Sequence, residues 1–298
     1  MKPKLLVSFI ALSLVITVFS ILLEVPTTTP YSVFNTGDNG YTFIFEKYSL
    51  IPLVNISSID LSNASNVVVI VPLMHGLDNL TSTYLLKLVE KGGEVVVLDE
   101  NGYINEFLYG VLGLNVGVEK AIIYDDVFNY KGDRSTPLIR IFLGNSSLTC
   151  YFHEPSVISV QVSSSDVRVV GISSNYSLRD NDGNGYFNMG DSIGSEPVVV
   201  SINYGNGSFI IVSDLDILSN RYVVLGDNEE FFRSLISGKK YVYLLLSGLN
   251  ASFHDYVKVY VYGFQSRREY WVRVLAELVI LLSLVVLFYY GEKSGFWK

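Results

Sequence analysis

The chain has 298 residues, 49 % of them hydrophobic, and a formal net charge of −8. An acidic surface of this kind excludes a nucleic-acid-binding protein, which needs clustered positive charge, so no nucleic-acid partner is expected. With Cys150 as its single cysteine, the chain forms no intrachain disulfide and no cysteine-based metal cluster, and its core must hold the fold.

Lys2 and Lys4 precede an uncharged apolar run, Leu5 to Leu23. At about 1.5 Å per residue this run spans about 28 Å, close to the hydrocarbon thickness of a bilayer. The favoured reading is an uncleaved anchor over residues 1–24 with its N-terminus in the cytoplasm. A cleaved signal peptide is the alternative. Glu24 to Pro30 reads as a Pro/Thr linker, 35–40 as a Gly/Asn turn cluster, and Tyr41–Tyr48 as a helix.

Val67 to Leu98 is the stretch around which the chain is organised. Two unbroken apolar runs, Val67-Val-Val-Ile-Val-Pro72 and Glu94-Val-Val-Val-Leu98, flank an amphipathic segment over Leu80–Lys91. The pattern predicts a βαβ unit, and the lack of alternation predicts strands covered on both faces of a parallel sheet. Next come a loop at 99–102, a helix at Ile104–Leu112, a strand at Ala121–Asp125 and strand-like patterning over Leu138–Val170. Val198–Asn203 and Phe209–Ser213 predict a hairpin. Glu229–Ile236 predicts a helix with Asp227 or Asn228 as its N-cap. Tyr241–Leu246 and Val257–Tyr262 read as strands. A second apolar segment, within 270–291, is bounded by Tyr270-Trp271 and Tyr289-Tyr290, the aromatic edges expected of a spanning helix. A buried core helix is the alternative there.

The order of several short motifs resembles a known group. These are Tyr31–Gly37, Pro72, Gly92-Gly93-Glu-Val-Val-Val-Leu-Asp99, Asp180–Gly185, Tyr204–Asp214, Leu218-Ser-Asn220 and Asp227-Asn228. Together they resemble a membrane-anchored domain of unknown function from archaea and bacteria. It falls in the class I glutamine amidotransferase-like superfamily, alongside GldG-type transport accessory proteins. The resemblance implies an α/β fold: a flavodoxin-like parallel-sheet domain over 31–240, a strand-rich second half, an extension over 241–268, and a transmembrane helix at each end. Catalytic relatives place a cysteine on the turn after a strand and a Gly-rich oxyanion loop after an earlier one. Here Asp99-Glu-Asn-Gly102 and Pro72-Leu-Met74 stand there instead. The expectation is therefore a pseudoenzyme, not an enzyme.

The expected role is a non-catalytic, membrane-tethered component on the extracytoplasmic side of the cell membrane, with both termini cytoplasmic. It would bind a ligand or scaffold a cell-surface or transport complex, with the bilayer and other complex subunits as partners. Two alternatives stay open: a hydrolase or amidotransferase-like enzyme with a non-standard site, and a structural envelope glycoprotein. Seven glycosylation sequons fit an outer face, at Asn55, Asn63, Asn79, Asn145, Asn175, Asn206 and Asn250.

Two sets of residues are candidates for binding. In the stretch from Asp180 to Asp191, oxygen-bearing side chains recur as in an EF-hand calcium loop: Asp180, Asp182, Asn184, Asn188 and Asp191. Tyr186 would offer its backbone carbonyl and Gly185 the sharp turn. Calcium is the implied cofactor; a metal-free Asn/Gly/Asp hairpin is the alternative. Asp99, Glu100 and Asn101, with Asp214 and Asp216, follow strand ends, where α/β folds open their crevices. Asn220 shares that second strand end, and for Asp214, Asp216 and Asn220 the favoured reading is that they cap and turn the backbone, with coordination of an ion or ligand as the alternative. Cys150-x-x-His153-Glu154 lies in a strand-rich stretch without glycines for a tight elbow, and reads as structural. His75 and His254 read as loop histidines.

Overall fold

The computed structural model describes residues 23–267 except 145 and 162–164, together with 11, 13–15 and 17. The chain divides into two compact units, Thr28–Ala251 and a second formed by 1–27 with 252–298.

The larger unit is built on a ten-stranded mixed sheet. Helix α1 (Thr42–Tyr48), which forms where predicted, precedes the first strand. The strands are β1 (Ile51–Leu53), β2 (Val67–Pro72), β3 (Glu94–Leu98), β5 (Asn129–Tyr130), β6 (Asp133–Leu143), β7 (Ser146–Tyr151), β9 (Val167–Ile172), β12 (Pro197–Tyr204), β13 (Gly207–Val212) and β14 (Tyr241–Leu245). The order is β1-β14-β2-β3-β13-β12-β9-β6-β5, with β7 on β6. A four-stranded antiparallel sheet joins β4 (Val116–Asp125), β8 (Ser156–Val160), β10 (Ser177–Asp180) and β11 (Ser192–Ile193) in the order β11-β10-β4-β8.

The β2-β3 reading holds in detail. Both strands are buried along their apolar length and pair in parallel from Val68↔Glu94 to Pro72↔Leu98. Helix α2 (Asn79–Glu90) connects them and packs against β3 and β13. Asp78 caps it, its carboxylate accepting the Thr81 N–H at 2.8 Å. Val69, Val71, Val95 and Val97 share one core cluster with Leu85, Leu88 and Val89 of α2. Val68, Ile70 and Val96, which alternate to the opposite face, are equally buried.

The flavodoxin-like parallel sheet is corrected. Among the described residues, only the pairings β1-β14, β14-β2, β2-β3 and β3-β13 are parallel; the others are antiparallel. The reason lies in the connections. From β4 to β10 successive strands are joined by connections of no more than six residues, which permit antiparallel pairing but are too short for parallel crossovers. The predicted hairpin is β12-β13, antiparallel from Val199↔Val212 to Tyr204↔Gly207. Glycine is required at 207, where a Cβ would stand 2.0 Å from the Gly93 carbonyl.

Helix α3 (Asn228–Leu235) also forms where predicted. The predicted helix at 104–112 includes a π-helical turn at Phe107–Val111. In the smaller unit, Val257–Tyr262 is helical, part of α4 (Phe253–Arg267), and not a strand.

The membrane-anchored reading is corrected as well. No helix among the described residues is long and apolar enough to cross a membrane. The two flanking transmembrane helices and the cytoplasmic placement of both termini are therefore not supported. The segment at 271–290 lies outside the described residues, as does most of 5–23.

Candidate functional site

Strands β3 and β13 are parallel neighbours, so their carboxyl ends leave the sheet side by side. After β3 the chain runs Asp99-Glu-Asn101, and after β13 it runs Ser213-Asp-Leu-Asp216. A crevice of about 380 Å³ opens at this edge. Its polar lining comes from four segments: Glu100 and Asn101 after β3, Asp216 after β13, His153, Glu154 and Ser156 around the β7-β8 turn, and Lys120 in β4.

The predicted acids divide into two roles. Asp99 and Asp214 are fully buried and act on the backbone. One Asp99 oxygen accepts the N–H groups of Asn101 and Gly102 at 2.9 and 3.0 Å; the other accepts that of Ile104 at 2.7 Å. This secures the turn into the 104–112 helix. The Asp214 carboxylate accepts the His153 N–H at 2.9 Å and the Asp216 N–H at 2.7 Å, joining the β7-β8 turn to the end of β13. Burial holds both carboxyl groups above their ordinary pKa, and at Asp214 the nearby Asp216 charge adds to the effect.

Glu100 and Asp216 face the crevice. Burial, then the charge of Asp216, raises Glu100 to about 6. His153 Nδ1 lies 2.9 Å from Asp216 Oδ2, and this hydrogen bond raises the imidazole above its ordinary value. The ring stacks on Tyr222 at 4.7 Å between centroids. Burial, then the nearby charges of Asp216, Glu100 and Asp214, raises the Tyr31 phenol above its ordinary pKa. Asn220 ties down the segment that carries Tyr31: its amide donates to the carbonyls of Asn35 and Gly37, and its oxygen accepts the Phe43 N–H.

Two crevice features are invisible to residue patterns. Lys120 sits in a bulge of β4, where Val118↔Ile158 is followed by Ile122↔Ser156, so two extra residues interrupt the ladder. Bulges of this kind re-aim side chains. His153 stands near Cys150 in sequence, but its partner is Asp216, 63 residues away. Glu154 stands at φ +47° and Tyr31 at φ +61°, left-handed conformations that L-residues adopt at a cost. Cys150 is buried in β7, and burial pushes its thiol pKa up.

The Asp180–Asp191 loop joins β10 to β11, with strands on both flanks. Asp180 accepts the backbone N–H groups of Asp182, Gly183 and Gly185. Gly185 turns at φ +77°. Asp182 Oδ2 accepts the amides of Asn184 and Asn188 at 2.9 and 3.0 Å. Asp191 accepts the N–H groups of Asn181 and Asn188. Tyr186 is exposed and donates its backbone N–H to Asn184 Oδ1. Among the described residues, no three His, Cys, Asp or Glu side chains converge as a metal-binding group. Of the sequon asparagines, 55, 63, 79, 175, 206 and 250 are exposed; Asn145 lies outside the described residues.

A mixed α/β domain with an acidic crevice at the carboxyl ends of two parallel strands is the class that fold and site define. Residues 52–236 match the family described as "Domain of unknown function (DUF4350)", and the chain belongs to it. No curated protein matches. Among solved structures, the mmIFT52 N-terminal domain is 13 % identical with a TM-score of 0.43, over 60 % of this chain and 81 % of that one. Cytoplasmic protein STM3548 from Salmonella typhimurium is 11 % identical with a TM-score of 0.33, over 60 % and 76 %. A β-galactosidase from Bacillus circulans sp. alkalophilus is 19 % identical with a TM-score of 0.31, over 55 % of this chain and only 22 % of its own. Likenesses this weak assign nothing to the chain.

Proposed function

We propose that this domain binds a small polar ligand in the crevice between the carboxyl ends of β3 and β13, and does not transform it. The observation that carries this is the 380 Å³ cavity itself, into which polar groups from four separate segments converge. Its size falls within the range of small-molecule sites. Asp99 supports the non-catalytic part: where catalytic relatives in the resembled amidotransferase-like superfamily place a nucleophile, its carboxylate is spent on three backbone N–H groups. Kinship with that superfamily remains part of this reading, supported by the order of its motifs.

The test is a thermal-shift screen of small polar metabolites on the full chain and on Ile122→Trp, which places a bulky ring at the crevice lining. Compounds that stabilise the wild type should lose their effect in the variant. Equal shifts in both would place binding elsewhere, and no shift with any compound would count against a ligand site. A second reading, an acid–base hydrolase, is favoured by the His153–Asp216 pair beside Glu100. Product formation from a bound compound, abolished by His153→Gln, would establish it in place of simple binding.

At the Asp180–Asp191 loop we propose weak calcium binding. It is supported by the spacing of the oxygen-bearing side chains of Asp180, Asp182, Asn184, Asn188 and Asp191 along the loop, groups of the kind calcium prefers. At calcium tenfold above Kd, linkage predicts about 1.4 kcal/mol of added stability, a rise of a few degrees in Tm. Chelator should reverse it and Asp182→Asn should abolish it. An unchanged Tm at millimolar calcium would exclude the site.

A further inference from the structure

Charges of both signs line the crevice, and they enter from different elements. Glu100 and Asp216 come from the ends of β3 and β13 and Glu154 from the β7-β8 turn, while Lys120 comes from the β4 bulge, with the Asn101 amide as a further donor. Ile122 is the apolar lining residue, and among the described residues no Phe, Tyr or Trp lines the cavity as a platform for a sugar face. Asp216 is already engaged by His153 at 2.9 Å, yet Glu100, Asp214 and Asp216 remain mutually repelling neighbours. A purely anionic ligand would add to that repulsion. A purely cationic one would meet Lys120. A neutral polyol would leave both signs of charge without a counter-charge.

We infer that the crevice takes a zwitterion of amino-acid size, its ammonium group against Glu100 and Asp216 and its carboxylate against Lys120 and Asn101. This rests on the reading of the crevice as a ligand site and names the ligand class. A cavity of 380 Å³ lies at the small end of ligand pockets, which suits a free α-amino acid better than a polymer segment. Opposite charges held on separate elements also fix the ligand's direction, which a single ion pair cannot do.

The test is calorimetric titration of the full chain with each of the twenty α-amino acids, and with ethylamine, propionate and glucose as separate probes. At least one amino acid should bind, with ethylamine and propionate each at least tenfold weaker. Lys120→Gln should weaken the amino acid at least fivefold while ethylamine binds no more weakly than before. Glu100→Gln should weaken both. Ethylamine binding as tightly as the amino acids would overturn the inference, as would indifference to Lys120→Gln. Glucose binding that Ile122→Trp removes, with no amino acid bound, would overturn the ligand class and leave the crevice as a site. Failure of all twenty amino acids overturns it outright.

Discussion

Replacing Asn228 by alanine is expected to cost the domain about 3–5 kcal/mol. The sequence marks Asn228 as a candidate helix cap, but its side chain has another task. It is fully buried. Its oxygen accepts the Tyr151 N–H at 2.9 Å, while its amide donates to the Tyr151 carbonyl at 2.7 Å and the Tyr222 carbonyl at 2.8 Å. The side chain thus pairs with β7 as a neighbouring strand's backbone would. Alanine would leave three polar backbone groups unmatched, and each buried one costs about 1–3 kcal/mol. Asn228→Asp should be nearly as damaging, because a carboxylate can accept from Tyr151 but cannot donate to either carbonyl. Tyr151 lies two residues before His153 and Tyr222 stacks on the His153 ring, so ligand binding should fall with stability. Urea unfolding followed by circular dichroism measures the effect. A loss under 1 kcal/mol would show that these bonds are replaced by water at little cost.

Glu100→Gln should act in the opposite direction and stabilise the domain above pH 6. The carboxyl group of Glu100 is raised from 4.5 to about 6. Between those values the folded state binds more protons than the unfolded one, so stability falls as pH rises, and the full penalty is present above about pH 6. The shift corresponds to an upper bound of about 2 kcal/mol, which solvent screening through the open side of the crevice reduces to about 1 kcal/mol. Glutamine keeps the shape and removes the charge. The variant should therefore match the wild type near pH 4 and exceed it at pH 7 to 8. Paired denaturation curves at the two pH values isolate this residue from the other carboxylates. Equal stability at pH 7.5 would show that Glu100 is well solvated. A gain in stability combined with lost ligand binding is what a site held at a cost to the fold should show.

Glu100 and Asn228 also show how far the residues could be read without the fold. The position of Glu100 was legible, because a polar turn after an unbroken apolar run marks a strand's carboxyl end. The role of Asn228 was not, because its partners lie 77 residues away on β7 and 6 residues away at Tyr222. The acids after β3 and β13 were expected together as a crevice. Their division into backbone anchors, Asp99 and Asp214, and crevice groups, Glu100 and Asp216, depends on which way each side chain leaves the turn.

By itself the sequence determined the local elements. It set the βαβ unit over 67–98, the β12-β13 hairpin, helices α1 and α3, and the acidic turns at the ends of β3 and β13. Periodicity, caps and turn residues act within a few positions, so these features are written locally. Only the tertiary structure decided that β14 enters between β1 and β2, that most of the sheet runs antiparallel, and that Lys120 and His153 join Glu100 and Asp216 in one crevice. Strand partners are chosen by burial and hydrogen bonding across long separations, and the alternation of side chains along a strand says nothing about which strand lies beside it.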